Sequence, residues 1–244
     1  MMKKLNLILT VLLCGVFSIQ AQHLGNKKVK GNGEIKTITR NTSDYESISV
    51  LGNLSVELIA GKEGFIKIQA EENLIEYIKT RIVGDELTIR IKKGYSLRPS
   101  VRKRIAITVP FEHINEVEIS GSGDVNSSTT IKTKHFSTTV EGSGNLNLNI
   151  ISQKITAEVA GSGNLKLYGR TDHFEVAIAG SGDVSAYDLI ANTAEVSVAG
   201  SGNVRLYVNE SLDASVAGSG DIRYKGKPMN VEKSIIGSGD ITKQ

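Results

Sequence analysis

The stretch Val159-Ala160-Gly161-Ser162-Gly163-Asn164-Leu165 decides how this chain reads, because near-copies of it recur down the whole C-terminal half. Gly-Ser-Gly triplets begin at Gly121, Gly142, Gly161, Gly180, Gly200, Gly218 and Gly237, at spacings of 21, 19, 19, 20, 18 and 19 residues. A period near twenty residues marks a stacked array, in which each repeat is one unit unable to bury its apolar face alone.

Moving outward from the triplet, two columns are wholly aliphatic. Two residues before it stand Ile119, Val140, Val159, Ile178, Val198, Val216 and Ile235; four after its first glycine stand Val125, Leu146, Leu165, Val184, Val204, Ile222 and Ile241. A column six before (Phe136, Ile155, Phe174, Ala194, Leu212, Val231) and one six after (Ser127, Leu148, Leu167, Ala186, Leu206, Tyr224) are mostly apolar. Inward chains at every second residue give each coil two short strands joined through the Gly-Ser-Gly corner. Each fully buried aliphatic chain contributes roughly 1.5–3 kcal/mol, so four per coil offset much of the ordering entropy. Trp is absent and Phe numbers only five, so Val, Ile and Leu must form the core.

The triplet itself reads as architecture. Glycine reaches positive φ at no steric cost and leaves room for the next corner above. The following residue is Asp124, Asn145, Asn164, Asp183, Asn203, Asp221 or Asp240. Both types bond turn amides, and mixing them limits charge repulsion between stacked coils. A calcium repeat would need a nine-residue period with an acid in every copy. A phosphate loop would need a Gly-Lys-Ser/Thr ending, and a nucleophile elbow Gly-x-Ser-x-Gly. None of these is present, and no cofactor or metal is expected. His135 and His173 lie two coils apart, too far to share a metal.

The first half is less regular. Residues 34–116 read as an irregular, strand-rich beginning of the array and residues 117–244 as its regular part. Val50-Leu51-Gly52-Asn53-Leu54 resembles the later motif with Ser-Gly deleted. Residues 71–82, with Leu74, Ile75, Ile78 and Ile82, read as either one short helix or a bent strand, the strand being preferred because everything around it is strand. Residues 22–33 read as a mobile lead-in. Met1–Ala21, with Lys3, Lys4 and an apolar run from Leu5 to Phe17, reads as an export signal too short to span a membrane. Its removal would take away Cys14, the one cysteine, and with it any thiol chemistry.

Two groups of residues are candidates for binding. Tyr168, Tyr187 and Tyr207 fall at one position of three successive repeats, with Lys166 and Arg205 two residues before the first and last. Constant alternation would make them an aromatic ladder flanked by cations, suited to a sugar or protein surface. Residues 79–104 hold nine basic residues against Asp85 and Glu86. Lys92, Lys93, Arg98, Arg102, Lys103 and Arg104 concentrate in a stretch that reads as a long loop facing an anionic surface or glycan. The near-balanced net charge of +3 speaks against a nucleic-acid binder.

The export signal, Arg40, Tyr45, Ile48 and Val50 ahead of Gly52, the strand end Ile107-Thr108-Val109-Pro110, and the Gly-Ser-Gly-Asp/Asn repeats together resemble the auto-transporter adhesin family with a head GIN domain. The resemblance implies an all-β, right-handed parallel β-helix, a solenoid, exported by Gram-negative bacteria to the periplasm or cell surface, with no catalytic residues to carry over. The function expected is non-enzymatic, adhesin-like recognition of a surface glycan or protein. A second reading is a structural protein forming homo-oligomers through open solenoid ends. A third, a polysaccharide-active enzyme, rests on fold analogy alone.

Overall fold

The computed structural model describes residues 26–244; the expected export signal and Cys14 lie outside them. In chain order the strands are β1 (Lys27–Lys30), β2 (Ile35–Asn41), β3 (Ser47–Leu51), β4 (Ser55–Ala60) and β5 (Phe65–Glu71), then a single helical turn α1 (Glu72–Ile75). There follow β6 (Ile78–Val83), β7 (Glu86–Ile91), β8 (Tyr95–Arg98), β9 (Ala106–Phe111) and β10 (Glu116–Gly121). The long coil strands are β11 (Asp124–Gly142), β12 (Asn145–Gly161), β13 (Asn164–Gly180), β14 (Asp183–Gly200) and β15 (Val204–Gly218). The stack finishes with β16 (Asp221–Lys225), β17 (Asn230–Gly237) and β18 (Asp240–Lys243).

The chain is a β-solenoid of about seven turns at the expected spacing near nineteen residues. From β10 upward every pairing is parallel, and Gly142, Gly161, Gly180, Gly200, Gly218 and Gly237 stand in one column above Gly121. The aliphatic columns point inward: Val140, Val159, Ile178, Val198 and Val216 are 2% exposed or less, as are Leu146, Leu165, Val184, Val204 and Ile222. A further buried position, held by Ile131, Ile150 and Leu189 with Gly169 between the last two, lies beyond the reach of the sequence alternation, because bulges shift the register ahead of it. Beyond that position the hydroxyls of Ser152 and Thr171 donate to nearby backbone carbonyls and satisfy groups that a second bend would otherwise strand.

Both corner glycines are sterically obligatory. Gly161 has φ +120°, and a Cβ there would sit 2.5 Å from the carbonyl oxygen of Gly142; one on Gly163 would sit 2.5 Å from Val140 Cγ1. The closeness follows from a hydrogen-bonded ladder along the corner, in which Ser143, Ser162, Ser181 and Ser201 amides donate to Gly121, Gly142, Gly161 and Gly180 carbonyls. The Asp/Asn mixture does more than dilute charge. Asn145 Nδ2 donates to Asp124 Oδ1, Asn164 Nδ2 to Asn145 Oδ1, and Asn203 Nδ2 to Asp183 Oδ1. Where two acids follow one another, at Asp221 and Asp240, Arg223 binds Asp221 at 3.0 Å.

The first half departs from the sequence reading in three places. First, nothing is deleted from the motif at Val50. Asp124 pairs with Ser55 and Val125 with Val56, so Gly52-Asn53-Leu54-Ser55-Val56 lies under Gly121-Ser122-Gly123-Asp124-Val125. Leu54, 1% exposed, takes the second glycine's place. Second, residues 71–82 are neither one helix nor one bent strand: the turn α1 precedes β6, and the Arg40 guanidinium ties the two together by donating to Ile75 O at the end of α1 and to Ile78 O at the start of β6. Third, residues 27–30 of the expected mobile lead-in form β1, paired in parallel with β8, because Val29 packs against the core and Leu97 opposite it is buried.

The stack is therefore not laid down in sequence order. The coil formed by β3 and β4 has β10 and β11 above it and β7 and β9 below it. Antiparallel strands β6 on β7 and β5 on β9 then close the N-terminal end. At the other end β17 is exposed along nearly its whole length, with Ile236 74% exposed.

Candidate functional site

The tyrosine ladder does not form. Tyr168 pairs with Asp188, and Tyr207 with Ile190. Tyr187 is the extra residue of a bulge, which falls where the triplet spacing lengthens to 20. Two of the rings are instead served separately: Lys166 Nζ lies 4.9 Å from the Tyr168 ring centre, Lys225 Nζ 4.2 Å from that of Tyr187, and the Tyr187 hydroxyl donates to Gln244 Oε1 at 2.7 Å. Arg205 stands in register with Ser185 and Arg223, one coil beyond reach of Lys166. Such separated contacts stabilise a sheet face; they do not assemble one aromatic platform.

The basic stretch is more ordered than a loop. It is an insertion at the corner of the lowest coil, between β7 and β9, at the place the Gly-Ser-Gly triplet occupies higher up. Its centre is β8, and pairing with β1 sets Lys27, Lys28 and Lys30 beside Tyr95, Ser96 and Arg98. Residues 27–30 and 92–104 thus bring together nine cations, all exposed, with no carboxylate among them. None takes part in the three ion pairs found among the described residues.

What holds so many like charges in place is the buried carboxylate of Glu71 at the end of β5. It accepts from Ser100 N at 2.8 Å, Ser100 Oγ at 2.6 Å and Gly33 N at 2.6 Å. Gly31 packs so closely on this carboxylate that a side chain there would overlap it. Burial works to raise the Glu71 pKa. The Ser100 and Gly33 hydrogen bonds and the charge of Lys103 outweigh it, so the group sits below the usual carboxylate range and stays ionised. Asn73 adds a second fastening, accepting from Asn32 N and donating to Lys30 O. Neither Glu71 nor β1 was marked by the sequence as part of a site: Glu71 sits in a polar run, and nothing local announces that residues 27–30 pair with residues 95–98.

Between the insertion and the first corners runs a groove of about 570 Å³, lined on one side by Lys92, Lys93 and Tyr95 and on the other by Asn53, Ser122 and Ser143. Tyr95 meets Tyr77 with ring centres 4.7 Å apart and planes inclined at 43°, and Lys92 Nζ lies 5.1 Å from the Tyr95 centre. The Tyr77 hydroxyl is held neutral to higher pH by partial burial and by the neighbouring Glu76 carboxylate.

A solenoid with a closed N-terminal end, continuous flanks and a charged corner insertion defines a class of repeat proteins that present side surfaces to partners. The chain belongs to the family described as "Putative auto-transporter adhesin, head GIN domain", which matches residues 44–228. No protein of curated function matches the sequence. A crystal structure of an adhesin of Bacteroides fragilis, itself described as putative, superposes with a TM-score of 0.80 at 25% identity, covering 88% of this chain and 100% of that one. A structure from Parabacteroides distasonis described as a putative lipid binding protein gives 0.72 at 31% identity, covering 89% and 100%. A second from that organism, described as a putative adhesin, gives 0.71 at 24% identity with the same coverage. Among the described residues no helix is long and apolar enough to cross a membrane.

Proposed function

We propose that the protein is an exported, non-enzymatic attachment module that works at the periplasmic or outer cell surface and holds an anionic surface glycan through its basic corner. The observation that carries this reading is the convergence of nine unpaired cations from two distant segments on one fastened corner. Like charges held close repel, so their ordered placement costs stability and is repaid by an anionic partner. Family membership supports adhesin-like binding as the general role. The test is retention of the mature chain on an immobilised acidic polysaccharide. Binding should weaken steeply with salt and disappear when Lys27, Lys28, Lys30, Arg98, Arg102 and Lys103 are replaced by Glu; salt-independent retention would sink the reading.

A second reading, end-to-end association, is favoured by the exposed β17 edge with Ile235 and Ile236. Lys233 counters it, pointing along the inward column onto Ile241 O at 2.7 Å; an inward charge is a known guard against edge pairing. Light scattering across a concentration series separates the two, since association through the ends requires growth in mass.

A further inference from the structure

The groove beside the basic insertion has properties that charge alone does not explain. We propose that it is a binding cleft for one extended acidic saccharide chain, its carboxylate at Lys92 and Lys93, a sugar ring against Tyr95, and its hydroxyls toward Ser122 and Ser143. This inference rests on the reading of the basic corner as a glycan contact and names its ligand and its binding mode.

Three observations lead there. The cleft is an open, shallow groove between the insertion and the first corners, which suits an extended chain lying along it. The cations facing it are lysines: compact ammonium groups beside a tyrosine face match a carboxylate carried on an apolar-faced sugar ring. The arginines Arg98, Arg102 and Arg104, with forks suited to phosphate, do not line it. The serines are not demanded by the fold. A Cβ on Gly121 would lie 2.9 Å from Gly52 O and one on Gly144 2.8 Å from Gly123 O, so the glycines are fixed. Ser122 and Ser143 between them are exposed, and their hydroxyls have no hydrogen-bond partner among the described residues. Successive corners rise by about 4.8 Å, the strand spacing, which places the two hydroxyls in line along the cleft.

A membrane is the competing ligand for a basic surface, and Val101, 89% exposed between Ser100 and Arg102, is the residue that would insert. A lone Val on a charged loop offers little apolar area. The groove also lies on the opposite side of the insertion's sequence, at Ile91–Leu97.

The experiment is calorimetric titration of the mature chain with a short oligogalacturonate, a neutral oligosaccharide of equal length, and phosphatidylglycerol vesicles. The acidic saccharide should bind and the neutral one should not. Lys92→Ala/Lys93→Ala should weaken binding about tenfold or more, and Ser122→Ala/Ser143→Ala about fivefold. Thermal unfolding should be unchanged in both, and Ser201→Ala/Ser219→Ala far up the same corner should bind like wild type. Glu76→Gln should tighten binding. If oligogalacturonate binds but the lysine and serine pairs have no effect, the cleft is refuted while the basic corner stands. If no acidic saccharide binds at low salt, both readings fail. Vesicle binding that is lost in Val101→Ser, with no saccharide binding, overturns the proposal in favour of a membrane contact.

Discussion

The corner of the solenoid is built twice, in opposite ways. From Gly121 upward it is a column of backbone so tightly stacked that no side chain fits at either glycine. One coil lower Leu54 fills the second glycine's place, and two coils lower the corner opens into the insertion between Ile91 and Ile105. There Gly94, with φ +84°, has nothing within 4 Å of where a Cβ would stand. The upper corner is constrained by its neighbours above and below; the lower is held from the side, by Glu71, Asn73, β1 and the Tyr77 carbonyl that accepts from Lys92 N, and so is able to carry charge. Architecture and recognition occupy the same column at different heights.

That contrast breaks first at the stack. Gly161→Ala meets both a left-handed φ and the Gly142 carbonyl, so it should cost about 3–5 kcal/mol, read as a fall in the denaturant midpoint. A variant of near wild-type stability would show that the corner relaxes freely. Glu71→Gln should loosen the insertion by about 2 kcal/mol, seen as faster amide exchange at Gly33 and Ser100 with the upper coils unaffected. The same carboxylate sets a pH dependence. Its folded pKa is depressed, so its contribution is complete above the ordinary value near 4.5 and is lost as pH falls through the lower folded value. Acidification should therefore release the insertion in the wild type, and Glu71→Gln should lack that transition.

Gly94→Ala, against open space, should cost only about 1 kcal/mol, the price of the backbone conformation alone. Equal losses at Gly94 and Gly161 would erase the distinction between the two corners. The smallest effect is expected at the Asx ladder. Asn164→Asp replaces a donor to Asn145 Oδ1 with a charge one coil below Asp183 and should cost about 0.5–1 kcal/mol, diminishing as salt is added.

The solenoid was legible in the sequence because its determinants are local and repeated: inward aliphatic residues on both sides of a triplet, and glycines at fixed places. The site was not, because its determinants are neither. Tyr168, Tyr187 and Tyr207 fall out of line with one another because the register shifts twice, between Lys166 and Tyr168 and between Ala186 and Ile190, and counting from the triplet cannot show where along a coil an extra residue is absorbed. The basic residues are visible in the sequence, and Lys92 to Arg104 read there as a surface loop. Their partner β1 and their anchor Glu71 lie more than twenty residues away in sequence, held by backbone pairing and a buried carboxylate that no periodicity announces. Leu54 misled for a related reason: an aliphatic residue after Gly-Asn matches the repeat by type while sitting two positions away from its true place.

The order of the coils also sets the order of folding. Above β10 each coil meets the one before it at a separation of about nineteen residues, whereas the pairing of Asn115 with Glu46 that seats β10 on β3 closes a span of 69. Loop closure costs more for longer spans, and repeat arrays grow from whichever interface forms first. By that cost the short-range contacts above β10 close most cheaply, and the closure of residues 46–115 around the antiparallel lid is expected to be the slow step that joins the stack to its base. A chain cut at any later corner would keep the register of the coils beneath the cut, so the length of this molecule is a quantity that whole-coil duplication or loss changes without redesigning its base.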